Sequence, residues 1–459
     1  MRSILAAFDA NLNRIYEAEA YGPLPHENNY WRTTFDAPHF PALASDQTCD
    51  IAIIGAGYTG LHAALRLSGE DVTVLDTHQP GWGASGRNGG FCCLGGAHAD
   101  DADIAKMFGA SDAASWAQTQ RASVDHVDQF LQDHSLDVDR HSDGETILAH
   151  TPKTFAGLQH EQAWIKDTYG NHAPLYSADA MIDQGMCASI NAKQPGFVGA
   201  LTIPVGFALN PLKYASGLAN AVAKSGAKIH GDSPVISAEY KDGLHILRTP
   251  QAILRAKKVI FATNGYSTDN LPKQLKKRYL PVQSNILVTR PLTEDELAAQ
   301  GWTSRQMCYD TRNLLHYFRL LPDNRMLFGM RRATSASPDA FAAAEAATRQ
   351  HFETMFPAWS HIGTPYFWSG LIAGARKFVP FAGPLPELPN AYAAMCYHGN
   401  GVAMGSYCGK LIAEKLLDQP HATAAPDFLD QPLAAFPFGR YRRHILPLLY
   451  RWYSFQDGP

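Results

Sequence analysis

Hydrophobic positions along this chain change period at definite places, and the changes predict its elements. Residues 51–54, Ile-Ala-Ile-Ile, are a short apolar and mostly β-branched run, the pattern of a strand buried on both faces. Past a glycine turn, Leu61, Ala64, Leu65 and Leu67 recur at helical spacing, and residues 72–75 form a second apolar strand ending at Asp76. Asn210 and Pro211 open a further helix as N-cap and first residue, with Leu212, Ala215, Leu218, Ala219 and Val222 on one side. Residues 230–262 read as a small meander running into the turn Thr263-Asn264-Gly265. Near residue 391 comes a strand, then the turn His398-Gly399-Asn400-Gly401 and a helix from about Val402. The opening segment, residues 1–22, predicts a short amphipathic helix, because Asp9, Glu17 and Glu19 break the apolar core a signal peptide needs. Nothing approaches the ~18 consecutive apolar residues of a membrane-spanning helix.

The order strand, glycine turn, helix, strand, acid is that of a dinucleotide-binding unit. In Gly55-Ala56-Gly57-Tyr58-Thr59-Gly60, Gly55 permits the tight turn, Gly57 admits a pyrophosphate to the backbone, and Gly60 lets the helix pack on the strand. Phosphates would meet the free amides and positive end of the helix, and Asp76 would accept from ribose hydroxyls. A simple NAD domain needs no second glycine-rich segment after that acid, yet here "GWGASGRNGG" follows at residues 81–90. Its glycines, among them Gly83, Gly89 and Gly90, would let backbone lie against a flat ring, with Trp82, Ser85, Arg87 and Asn88 at its edge.

Composition narrows the partners. With 39 basic and 43 acidic residues, a formal charge of −4, 46% hydrophobic and 18% charged residues, the chain has no global field for nucleic acid or an anionic membrane. A small-molecule substrate is expected, with no nucleic-acid and no membrane partner. Seven cysteines without a CxxC spacing suit a reducing, cytoplasmic compartment and argue against a zinc cluster, so no metal is expected.

The segments "CDIAIIGAGYTGLHAALRL", "GWGASGRNGG", "ALNPLKYASGLA", "VIFATNGY", "DTRNLLHYFRLLPDNRMLFG", "YFWSGLIA" and "YHGNGVAMG" together resemble the FAD-dependent amine and amino-acid oxidases of the glycine oxidase and D-amino-acid oxidase superfamily, and within it the γ-glutamylputrescine oxidases. The resemblance implies an α/β fold: a discontinuous Rossmann-like FAD-binding domain at about 48–100, 198–272 and 364–420, with an inserted mixed α+β substrate domain at 101–197 and 273–363. Residues 1–47 and 421–459 are terminal extensions. The aromatic, basic tail is read as capping the body, a dimer contact or membrane association being the alternatives.

The same resemblance implies that Val235 touches the adenine through its backbone, that Thr263, Asn264 and Gly265 return to the cofactor's edge, and that Gly370 and the Gly399, Asn400, Gly401, Val402 turn meet the flavin. Relatives carry Ser-Gly-His-Gly where this chain has His398-Gly399-Asn400-Gly401, which leaves His398 as either a flavin neighbour or a surface histidine. Ser369 and Ser85-Gly86-Arg87 stand where some relatives tether the flavin, so FAD is expected to be non-covalent. His316, Tyr317 and Arg319 are candidates for the substrate pocket. Arg331 and Arg332 form either a carboxylate fork or a solvated edge, and Trp368 either an aromatic wall or plain core. The implied reaction passes hydride from an amine C–H to FAD, water hydrolyses the imine, and O2 reoxidises the flavin to give hydrogen peroxide. A dehydrogenase feeding a quinone or carrier protein is the alternative, and a non-catalytic FAD-binding protein a third.

Overall fold

The structure is a computed structural model and describes residues 12–191, 194–331, 333–419 and 425–457. Strand Gln47–Ile54 lies between Val72–Leu75 and Ile253–Phe261, all three parallel, with Ile51 opposite Val72 and Ile53 opposite Ile260. The two-faced burial implied by the apolar run is present. Ile51 and Ile53 face one core, Ala52 and Ile54 the other. Lys228–His230 extends this sheet on one side, and the antiparallel strands Leu244–Arg248 and Ser237–Lys241, the expected meander, extend it on the other. Ala391–Met395 joins parallel to the end of Ile253–Phe261, and Phe381–Pro384 pairs with it. Helices Tyr58–Arg66, Pro211–Lys224 and Ala403–Leu416 send Leu61, Leu218 and Leu411 into the core shared with Ile53 and Val74. Asn210 caps its helix as its residue type predicts, accepting from the amides of Leu212 and Lys213, both at 3.2 Å.

A second eight-stranded sheet runs Tyr366–Gly374, Leu280–Val288, Met326–Met330, His316–Leu320, Met307–Asp310, Glu145–Ala149, Gly199–Ile203, Leu175–Ser177. Its pairings are antiparallel except that between Met307–Asp310 and Glu145–Ala149. Gly199–Ile203 and Tyr366–Gly374, which fall within the segments 198–272 and 364–420, pair in this second sheet. A short apolar strand says nothing of which sheet it joins. Of the opening segment, residues 1–11 lie outside the described residues, and residues 12–22 hold one 3-10 turn, Ala18–Tyr21. The chain closes with a 3-10 segment, Gly439–Ile445, and the helix Leu446–Asp457.

Candidate active site

The helices Tyr58–Arg66, after Gly57, and Ala403–Leu416, after Val402, are among those that begin with no cap from the N-cap side chain. Their N-terminal ends open onto two adjoining cavities that share Ala84, Asn88, Ile372, Gly399 and Val402. The positive end of the helix dipole makes both ends attractive to anionic or electron-rich groups.

The first cavity is lined by Gly55, Gly57, Tyr58, Thr59, Asp76, Trp82, Gly83, Ser85, Val235, Thr263, Asn264 and Gly401. Gly55 has φ +112°, and a Cβ there would stand 2.7 Å from the Ala262 carbonyl oxygen. Gly60 lines neither cavity, because its missing Cβ lets the helix sit directly on the Gly55 carbonyl. The Asp76 carboxylate accepts from the amides of Ala56 at 2.6 Å and His78 at 2.9 Å. Burial nevertheless pushes its acid up to about 6. The Ser85 hydroxyl oxygen accepts from the Tyr58 amide at 3.0 Å, tying the second glycine segment to the first.

Arg87 is buried with its guanidinium 3.9 Å above the Trp82 ring centre. It donates through Nε to the Trp82 carbonyl at 2.7 Å and through Nη1 to the Ser369 carbonyl at 3.1 Å, while Nη2 is buried without a partner. Asn88 is committed to the turn: Nδ2 donates to the Ala84 and Ser85 carbonyls and Oδ1 accepts from the Gly90 amide. A Cβ at Gly89 would stand 3.0 Å from the Tyr317 ring. Gly90 requires correction. It lines neither cavity, and its φ of +74° and absent Cβ accommodate the Leu209 carbonyl and Arg319, not a ring. Gly265 likewise lines neither, standing against the Leu371 backbone.

The second cavity gathers Arg87, Gly89, Tyr317, Arg331, Gly370 and Asn400. The Tyr317 hydroxyl is 2.8 Å from that of Ser284. Arg331 donates to the His398 carbonyl at 3.0 Å, and among the described residues no carboxylate pairs with it; Arg332 lies outside those residues. His316 is the clearest correction. Alternation along His316–Leu320 turns Tyr317 toward the cavity and His316 away from it, onto Asp310 at 2.7 Å and His351 at 2.9 Å. Burial raises the Asp310 carboxyl, but His316 and Arg312 beside it outweigh that and hold it at about 2. Arg319 also leaves the site, donating to the Leu209 carbonyl and bonding His141. Trp368 is core, its indole N–H given to the Arg87 carbonyl at 2.7 Å. His398 is no surface histidine: Nδ1 lies 3.1 Å from the Gly96 carbonyl, Nε2 accepts from the Ala375 amide, and burial lowers its pKa to about 4, so it braces the turn as a neutral ring.

Two residues that sequence reasoning missed line this cavity, Arg312 and Glu145. Arg312 donates to Asp310 at 2.6 Å. Glu145 is buried at the head of the strand Glu145–Ala149, and burial pushes its carboxyl up to about 7. Nothing local in the sequence marks either residue.

The open helix ends, the Asp76 carboxylate, the unpartnered Nη2 of Arg87 and the buried, unpartnered Oδ1 of Asn400 together suit a group with a pyrophosphate, a ribose and a polar heterocycle. Residues 50–415 match the model of the FAD dependent oxidoreductase family, and the chain belongs to that family, with FAD as its cofactor. It is 31% identical over 425 residues to the gamma-glutamylputrescine oxidoreductase of Escherichia coli, covering 91% of this chain and 95% of that protein. It is 30% identical over 384 residues to the probable oxidoreductase OrdL of Haemophilus influenzae, covering 82% and 85%. The solved glycine oxidase from Geobacillus kaustophilus shares the fold at a TM-score of 0.67 and 18% identity, over 83% of this chain and 98% of that one.

Proposed function

We propose that this protein oxidises the C–N bond of a small amine that also carries a carboxylate, a γ-glutamylated alkylamine or a secondary amino acid, with O2 as final acceptor. The observation that carries the reading is the charge layout of the second cavity: Arg331, a cation with no counter-ion among the described residues, shares it with a buried carboxylate, Glu145. Arg312 is already neutralised by Asp310, which leaves Arg331 to take a substrate carboxylate. FAD, non-covalently bound, supplies the two-electron acceptor. The helix end at Val402 and the backbone of Gly399 and Gly401 would hold it, and the Arg87 Nη2 proton would be available to its polar edge. The amine must lose its ammonium proton before its lone pair can assist loss of hydride. Glu145, with a pKa near 7, is matched to accept that proton at neutral pH. Similarity to an enzyme named for gamma-glutamylputrescine supports the same substrate class.

Anaerobic mixing with a panel of amines, amino acids and hydroxy acids tests the reading. Amines with a distal carboxylate are expected to bleach the flavin fastest, at a rate at limiting substrate that climbs with pH, since free alkylamines are neutral to only about one part in a thousand at pH ~7. A flat pH profile, or bleaching by hydroxy acids alone, would remove the amine assignment.

A further inference from the structure

The exposed apolar side chains of this protein are concentrated in one place. Of the ten large hydrophobics that stand exposed among the described residues, six fall within residues 438–455: Phe438 at 72% of full exposure, Tyr441 54%, Ile445 41%, Leu448 71%, Trp452 57% and Phe455 81%. On the helix Leu446–Asp457, positions 448, 452 and 455 are spaced by four and three and share one stripe, which Ile445 extends by one turn.

That stripe is outward because the opposite side of the helix is firmly held. Leu446 is buried, and the buried Asp457 carboxylate accepts from the Asn313 amide at 2.8 Å, the Asn313 side chain at 2.7 Å and the Leu314 amide at 3.1 Å. The helix is thus docked with its largest apolar groups facing out, at a cost that a monomer in water does not recover.

The rim of the stripe is basic. Arg440, His444 and Arg451 are exposed around it. The turn 273–278, Lys-Gln-Leu-Lys-Lys-Arg, lies against the tail: the Lys277 carbonyl accepts from the Phe436 amide at 2.7 Å, and the Lys277 side chain reaches Gly439. Among the described residues, the carboxylates touching this zone are occupied, Glu17 by Arg443 in two bonds of 2.7 Å, Asp269 by Arg442 at 2.7 and 3.0 Å, and Asp457 by the amides above. A chain of formal charge −4 therefore carries one face that is apolar at its centre and positive at its edge.

We propose that this face docks the protein on an anionic lipid bilayer, the C-terminal helix lying in the interface plane with Leu448, Trp452 and Phe455 among the acyl chains and the 273–278 cations over the headgroups. Aromatic and aliphatic groups along one side, rimmed by cations, match an amphipathic interfacial helix, and charge complementarity selects an anionic surface. A second copy is the poorer occupant, since a two-fold contact would set the same positive rim against itself. The inference stands apart from the amine assignment, as none of its residues lines the second cavity.

The test is flotation of the FAD-loaded full chain with vesicles of phosphatidylcholine alone and of phosphatidylcholine mixed with phosphatidylglycerol. Binding is expected to the mixed vesicles only, weakening as salt screens the headgroups, with a blue shift of Trp452 emission. The double variant Leu448→Ser, Phe455→Ser, and separately Lys276→Glu with Lys277→Glu, should each lower the partition coefficient by roughly tenfold or more while flavin content and amine-driven bleaching stay at wild-type levels. Two results overturn the proposal: equal partition of wild type and both variants, or no vesicle binding together with a dimer in light scattering that the apolar double variant dissociates.

Discussion

The two cavities meet at Val402 and Asn88 but are built by different means. The first is mostly turns and helix ends, where backbone amides and missing Cβ atoms do the recognising. The second gathers long side chains from the second sheet, Glu145 and Tyr317 from within strands and Arg312 and Arg331 from just past the ends of Met307–Asp310 and Met326–Met330. A backbone site depends on residues adjacent in the chain, so each substitution is local and severe. A side-chain site depends on register and tilt across a sheet, so its members can be exchanged one at a time, and neighbouring positions on one strand play opposite parts.

The largest expected break of this comparison is Asp76→Arg, which places a cation where a buried carboxylate accepts two amides and would remove the acceptor proposed for the ribose. The purified variant is expected to be soluble but colourless, a loss of roughly 3 kcal/mol or more of FAD affinity, whereas acid-precipitated wild type should release its yellow colour to the supernatant. Retained absorbance near the flavin band would move the ribose elsewhere.

Glu145→Gln should keep the flavin and slow its anaerobic reduction by about a hundredfold, with loss of the kinetic pKa near 7. It also has a stability signature. Between its ordinary value of 4.5 and about 7, the folded state holds a proton that the unfolded chain has released, so stability falls as pH rises through that window and levels off above it. The Gln variant should melt higher than wild type at about pH 8, by the equivalent of ~1–3 kcal/mol, and no higher at about pH 4. Thermal melts at the two pH values decide it, and a difference that does not change with pH would return Glu145 to a structural role.

Arg331→Met should raise KM about 10- to 100-fold for amines bearing a carboxylate, with little change for those lacking one. Equal loss on both would mean that Arg331 holds the His398 turn instead of the substrate.

The smallest kinetic effect is expected at His316→Ala. It removes the bonds to Asp310 and His351 behind the sheet, costing about 1–3 kcal/mol of stability, yet it should leave KM and the reduction rate within a few-fold of wild type, because the ring never reaches the cavity. A reduction defect larger than that of Arg331→Met would reverse the assignment of the two faces.

How much was legible follows from the same physics. The strand at residues 51–54, the glycine turn, the acid at 76 and the capped helix after Asn210 are statements about neighbours in the chain, and periodicity and turn chemistry carry them. The first cavity is accordingly lined by Gly55, Gly57 and Asp76, while Gly60, Gly90 and Gly265 are glycines for closeness to protein backbone, a need that looks the same in sequence as closeness to a ligand. Alternation along 316–320 marked two faces without saying which was inside, and so His316 and Tyr317 were both nominated where only one enters. Arg312 and Glu145 carried no local mark. Their roles come from the parallel pairing of Met307–Asp310 with Glu145–Ala149, which joins segments more than a hundred residues apart. By itself, then, the sequence determined the dinucleotide unit and the capped helix after Asn210, which rest on contacts within a few residues, and, through a likeness of segments spread along the chain, the cofactor class. Only the tertiary structure decided which sheet Gly199–Ile203 and Tyr366–Gly374 join, which charges share the second cavity, and that the last helix turns its apolar stripe outward, since those depend on long-range pairing that no local pattern encodes.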